Sequence, residues 1–338
     1  RRLAGGEPYS AHPPAHRRHT IPDHGRRGID HRRAAESLNH VFENILGQDG
    51  ICDRLRSDAL GNRLPRSMLF EGPPLSAKLS AALELARVLS CERDAAWNCP
   101  CPQCTRHRTL SHQDILLFGP KAFRAELAIG AKMLERSPGP AARYFFIRAA
   151  HKLLRRFDPE LYAGEDARLA KALPHVRSIM EGLDGLAPTG KADDEVAAKD
   201  ANKLLPVCAK LEDLMPAVTP VFQIRAMEYW ARLAPLGKRK TIILEHADSM
   251  LEVSRNALLK ILEEPPERVV FVLTTTRRRA IMPTILSRVR SYRFLQRNET
   301  DSRKVIERIF RDSDSTSAAI PEFISRYRPA SGNALDAL

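Results

Sequence analysis

The chain has 338 residues, 43% hydrophobic and 28% charged, which suits a globular protein long enough for two domains. No apolar run approaches the roughly 18–20 residues of a membrane span, and no apolar signal-peptide core is seen, so a helical membrane protein is excluded and the cytoplasm is expected. The formal net charge of +13 suits nucleic acid or another polyanion, and equally a well-solvated basic surface.

Residues 1–38 are rich in Arg, His, Pro and Gly without apolar periodicity, and are expected to form a disordered basic tail. The first residue is Arg, which reads as a fragment or a start-site extension. Regular patterning begins at Val41. Ile51 to Leu60 reads as an amphipathic helix, and Ser67 to Phe70 as a short buried strand. A turn at Glu71-Gly72-Pro73-Pro74 leads into a helix from Lys78 to Ser90. Asp114 to Phe118 reads as a second strand. Residues 120–220 are mostly helical in pattern, with breaks at Ser137-Pro138-Gly139-Pro140 and Pro188-Thr189-Gly190. Lys191 to Lys203 has little apolar character and fits an exposed helix or a linker. Strands are expected at Thr241 to Leu244, Val269 to Leu273 and Ser291 to Phe294. Helices are expected at Val253 to Glu264, stopped by two prolines, and at Ile281 to Leu286. Unbroken apolar strands alternating with helices predict an α/β fold with a parallel five-stranded sheet covered on both faces.

A phosphate loop has the form G-x-x-x-x-G-K-[ST]. The segment after the first strand reads Gly72-Pro73-Pro74-Leu75-Ser76-Ala77-Lys78-Leu79. Gly72 and Lys78 are in register. Ala77 replaces the second glycine, where a Cβ costs about 1–2 kcal/mol in the left-handed conformation. Leu79 replaces the hydroxyl that would hold Mg²⁺. Weak ATP or ADP binding through Gly72, Lys78 and the helix N-terminus is compatible with these residues; hydrolysis is not expected.

Four of the six cysteines, Cys91, Cys99, Cys101 and Cys104, fall within fourteen residues. Such clustering in a chain without a signal peptide points to a metal such as zinc rather than to disulfides. Cys101 and Cys104 have chelating spacing. Cys99 and Cys101 are one residue apart and need a kink at Pro100 to face one ion; otherwise His107 replaces one thiol. Cys52 and Cys208 stand alone and read as buried thiols.

Asn256-Ala257-Leu258-Leu259-Lys260-Ile261-Leu262-Glu263-Glu264-Pro265-Pro266 closely resembles the segment after the Walker B strand of bacterial DNA polymerase III clamp-loader subunits of the delta-prime and gamma/tau kind, which are AAA+ proteins. Thr284-Ile285-Leu286-Ser287-Arg288 resembles their Ser-Arg-Cys motif, with Val289 in place of Cys. Ile45-Leu46-Gly47-Gln48, Ala231 to Lys240 and Val270 to Thr276 are also similar, and the match covers about 41–119 and 221–297. This resemblance implies an AAA+ core over 39–297, with a zinc module at 91–104 and a helical insertion at about 120–220. A partial helical lid would follow at 298–338, with the collar domain missing.

The resemblance also assigns roles. The Walker B Asp-Glu falls at Glu245 and His246, and the imidazole is a poor substitute for the catalytic carboxylate. Thr275 or Thr276 takes the sensor 1 position. Arg288 becomes an arginine finger reaching a neighbour's ATP. The family's zinc spacing, C-x8-C-x2-C-x2-C, is departed from by one residue at two places. Partners implied are gamma/tau and delta subunits, the sliding clamp and primer–template DNA. The function implied is that of a non-hydrolysing clamp-loader subunit. Two alternatives are an active gamma/tau-type ATPase with an atypical loop and a zinc-stabilised DNA-binding adaptor outside the ring. For the inserted helix from Ala142 to Phe157, Arg148, Lys152, Arg155 and Arg156 suggest a basic face, solvated or touching DNA.

Overall fold

The structure, a computed structural model, describes residues 41–187 and 193–328. The expected tail over 1–38 and the break at Pro188-Thr189-Gly190 lie outside these residues.

The five strands are β1 (Ser67–Glu71), β2 (Ile115–Phe118), β3 (Lys240–Leu244), β4 (Val269–Thr275) and β5 (Arg290–Arg293). All pair in parallel, in the order β2-β3-β4-β1-β5. The register sets Ser67 against Phe271, Met68 against Arg290, Ile115 against Thr241 and Lys240 against Val269.

The unbroken apolar strands divide their side chains by the strand period of two. Leu69, Leu116, Ile242, Leu244, Phe271 and Leu273 point into one core. Met68, Phe70, Ile243, Val270, Val272 and Tyr292 point into the other. The second core is covered by α1 (Asp49–Leu60), α2 (Lys78–Ser90) and the cysteine module with its short helix α3 (Pro102–Arg108). The first core is covered by the long helices: α4 (Arg124–Arg136), α5 (Pro140–Leu154), α6 (Asp166–Asp184), α7 (Asp194–Glu212), α8 (Val221–Arg232) and α9 (Glu252–Glu263). A short α10 (Pro283–Leu286) leads to β5, and α11 (Glu299–Arg308) and α12 (Ile320–Ser325) follow. This is an α/β fold of the AAA+ type.

Most predicted elements occur within a residue or two. Two differ. From Asp194 the weakly apolar stretch belongs to the 19-residue α7, and Ala197, Ala198 and Ala201 are buried. Alanine lets α7 approach α4 and α6 closely, so a face with little hydropathy is still an inner face. The helix expected over Ile281 to Leu286 shrinks to one turn, because Pro283 occupies its first position.

The central strand β4 carries the packing between both neighbours. Phe271 is fully buried there. Phe271→Ala is expected to lower the unfolding free energy by about 3–5 kcal/mol, read as an earlier urea midpoint.

Candidate functional site

Parallel sheets bind ligands outside the carboxyl ends of their strands. Here β1 ends at the Gly72–Lys78 loop, β3 at Glu245 and His246, and β4 at Thr275. Gly72 has φ +153, and a Cβ there would meet the Phe294 carbonyl oxygen at 2.4 Å. Ala77 has φ 69 and Leu75 φ 57, so two non-glycine residues adopt the left-handed conformation at about 1–2 kcal/mol each. Lys78 turns inward. Its Nζ donates to the Gly72 oxygen at 2.8 Å, the Pro73 oxygen at 2.5 Å and Ser76 Oγ at 3.2 Å. Burial lowers the Lys78 pKa to about 8, against the pull of Glu245 and Asp248. Leu79 is buried and brings no hydroxyl.

Beside the loop, Arg297 donates to the Leu75 oxygen at 2.6 Å and the Leu46 oxygen at 2.8 Å. The Gln48 amide pairs with both backbone groups of Leu295, at 2.7 and 3.1 Å. Pro74, Leu75, Ser76, Arg297 and Ile320 line the narrow cleft left beside the loop.

Glu245 is buried and ion-paired with Arg156, whose side chain is only 2% exposed. Lys121 Nζ lies 3.6 Å from the other carboxylate oxygen. Burial alone would raise the Glu245 pKa; Lys121 and Arg156 outweigh it and hold it at about 2. His246 adopts φ 51 and donates its N–H to Thr274 Oγ1 at 3.3 Å. Burial lowers its pKa against the pull of Glu245 and Asp248. Thr275 Oγ1 donates to Asp248 at 2.7 Å, and Arg277 Nε to the same carboxylate at 2.9 Å. Thr275 therefore serves a partner within the chain.

The basic residues of α5 and the turn after it neither face solvent nor form a surface for DNA. Arg148 donates to the carbonyls of His107 and Arg108 at 3.1 and 2.9 Å. His151 donates to Thr109, and Arg155 donates to Leu110 at 2.8 Å and His112 at 2.6 Å. These carbonyls close the C-terminal end of α3, where unpaired oxygens and the helix dipole attract cations. Lys152 pairs with Glu126, and Arg156 with Glu245. Periodicity exposed the stripe but could not show that carbonyls and carboxylates face it.

The four cysteine sulfurs lie within 4.8 Å of one another, and all four residues are buried. Cys91 Sγ is 3.7 Å from Cys99 Sγ and 3.9 Å from Cys101 Sγ. Four thiolates around zinc at about 2.3 Å would sit roughly 3.8 Å apart, so the group fits a metal ion such as zinc. Backbone N–H groups of Arg93 and Cys104 point at Cys91 Sγ and Cys101 Sγ, at 3.3 and 3.4 Å. Cys101 has extended backbone and caps α3, and the Cys99 and Cys101 sulfurs both come close to Cys91 Sγ.

His107 is not part of the group. It is buried, lies tilted against His112 with 4.1 Å between ring centroids, and burial lowers its pKa to about 2. The buried Arg87 was not singled out by the sequence. It forks onto Glu84 at 2.6 and 2.9 Å and donates to Cys104 Sγ at 3.0 Å. Cys52 and Cys208 are buried apart from the cluster, and burial pushes both thiols up to about 12.

Arg288 precedes the edge strand β5. It pairs with the half-exposed Glu263 and donates to the Thr284 oxygen at 2.7 Å.

Two outcomes are expected. Glu245 has a depressed pKa, so its stabilising contribution is complete above its ordinary value of 4.5 and is lost as pH falls from there toward about 2. Acid titration of stability should show this loss in the natural chain and a smaller one in Arg156→Met, where Lys121 still faces the carboxylate. Removal of a bound metal by a chelator should loosen residues 91–112, read as faster amide hydrogen exchange in that segment, because four clustered thiols then lose their common partner.

The chain matches a family profile described as "DNA polymerase III, delta subunit" over residues 47–136 and 196–298. The unmatched stretch between them holds α5 and α6. The gamma/tau subunit of DNA polymerase III from Mycobacterium bovis is 42% identical over 62 residues, 18% of this chain and 11% of that protein. The tau/gamma subunit from Haemophilus influenzae is 31% identical over 103 residues, 30% of this chain and 15% of that protein. The chain thus spans only a small part of the curated relatives it matches. A solved gamma subunit-related protein of DNA polymerase III from Thermotoga maritima is 35% identical, covering 26% of this chain and 29% of that one, with a TM-score of 0.23. Among the described residues no helix is long and apolar enough to cross a membrane. The family profile covers more than half of the sequence, and the chain belongs to the DNA polymerase III, delta subunit family.

Proposed function

We propose that the chain is a non-hydrolysing, delta-prime-like subunit of a clamp loader and that it lends Arg288 to the ATP site of a neighbour. Its partners are gamma/tau and delta subunits, the sliding clamp and primer–template DNA, in the cytoplasm. In this reading residues 39–297 form the AAA+ core, with a structural zinc module at 91–104 and a helical insertion at about 120–220. Residues 298–338 form a partial lid.

One observation carries the reading. The two charged groups that would act on a metal-bound triphosphate are both engaged inside the chain: Lys78 on its own loop carbonyls and Glu245 on Arg156. A bound nucleotide would have to displace the first and a Mg²⁺ ion the second. Leu79 and His246 remove the hydroxyl and the catalytic carboxylate independently.

Arg288 is held differently. Its side chain is 29% exposed and that of Glu263 51%, and such an exposed pair contributes about 0–1 kcal/mol. A phosphate across an interface competes easily with so weak a partner, and a guanidinium suits phosphate oxygens by charge and shape.

Reconstitution with the gamma-type subunit of the same cell tests this. The isolated chain should show no Mg²⁺-dependent ATP turnover. Arg288→Ala should lower the ATPase rate of the assembly on the order of tenfold or more, since arginine fingers stabilise charge on the transferred phosphoryl group. Turnover by the chain alone, or an unchanged rate with Arg288→Ala, would sink the proposal.

A further inference from the structure

Arg87 is 2% exposed and sits at the seam between α2 and the cysteine module. It makes five hydrogen bonds, one for each N–H of a guanidinium. Nε and Nη2 fork onto Glu84, one turn back on α2, at 2.9 and 2.6 Å. Nη2 also donates to the Ala95 oxygen at 2.6 Å, and Nη1 to the Ala96 oxygen at 3.0 Å. The remaining Nη1 hydrogen goes to Cys104 Sγ at 3.0 Å. One side chain thus joins the helix, the loop and a sulfur of the cluster.

The contact with sulfur has an electrostatic reason. Four thiolates around one divalent ion leave two negative charges in excess. All four cysteines are buried, so water supports that charge poorly, and a buried charge needs a partner or donors close by. Backbone N–H groups of Arg93 and Cys104 supply donors to Cys91 and Cys101. Arg87 supplies a cationic donor to Cys104, and a charge-assisted hydrogen bond is about twice as strong as a neutral one. Glu84, whose side chain is 8% exposed, balances the charge of Arg87. The pair is neutral as a whole but oriented. Its guanidinium touches the sulfur, and its carboxylate lies along the Nε and Nη2 edge.

We infer that Arg87 is a positioning residue for a metal ion in the cysteine module: it stabilises the loaded thiolate cluster through Cys104, and Glu84 tempers that pull. The inference rests on the reading of residues 91–104 as a zinc module, and adds a determinant of metal affinity outside the ligands themselves.

Competition for zinc between the full chain and a chromophoric chelator tests it. The natural chain should take up zinc; no uptake would overturn the zinc reading and this inference together. Arg87→Gln should weaken binding roughly tenfold to a hundredfold, because Glu84 then stands without its cation beside an anionic cluster. Glu84→Gln should bind zinc at least as tightly as the natural chain, because the guanidinium then faces the thiolates with its charge uncompensated. A role confined to packing would weaken binding in both variants. With Co²⁺ in place of zinc, Arg87→Gln should also move the sulfur-to-metal charge-transfer band to longer wavelength, since a sulfur relieved of an N–H donor gives up charge more readily. Lower stability of the variant does not produce that shift. An unchanged band in Arg87→Gln overturns the inference while leaving the zinc reading intact, and so does equal weakening of zinc binding by the two variants.

Discussion

The ion pair between Arg156 and Glu245 is where the helical layer and the sheet are fastened together. Both side chains are almost fully buried. Their desolvation is costly, and neither charge tolerates the loss of the other: removing one member of such a pair costs about 3–5 kcal/mol. The pair thus fixes where α5 ends relative to β3. It also sets the chemistry of the strand end. The Glu245 carboxylate faces a guanidinium that cannot leave. The positive charge the site requires is built into the chain.

Around this pair the molecule is layered simply. One face of the sheet carries α1, α2 and the cysteine module; the other carries the long helices. Helix α5 reaches across the division. Its cations close the carbonyl end of α3, and the residue after its final turn reaches Glu245. The cysteine module and the carboxyl edge of the sheet are therefore held by one continuous segment.

Much of this was legible in the sequence. Uniformly apolar strands gave both the parallel sheet and its two covered faces, because burial on both sides removes the need for alternation. The residue types at Ala77, Leu79 and His246 were visible at their spacings, and Ala77 has the positive φ its place in the loop predicts. The cysteine group was legible as composition, while the spacing alone did not show that all four sulfurs meet. The role of the α5 cations was not legible. Sequence periodicity places Arg148, His151 and Arg155 on one face, but their partners are backbone carbonyls some forty residues away, which carry no residue-type signal. Arg156 and Glu245 are 89 residues apart, and no local pattern links them. Alanine misled in α7 for a related reason: close helix packing selects small size rather than hydropathy.

The shared use of α5 bears on modularity. A segment that merely decorated the surface could be excised with its ends rejoined. The segment from Pro140 to Phe157 could not. Deleting it would strip the oxygens at the end of α3 of their donors and leave Glu245 with Lys121 as its remaining cation. The end of α3 and the tip of β3 therefore share one support.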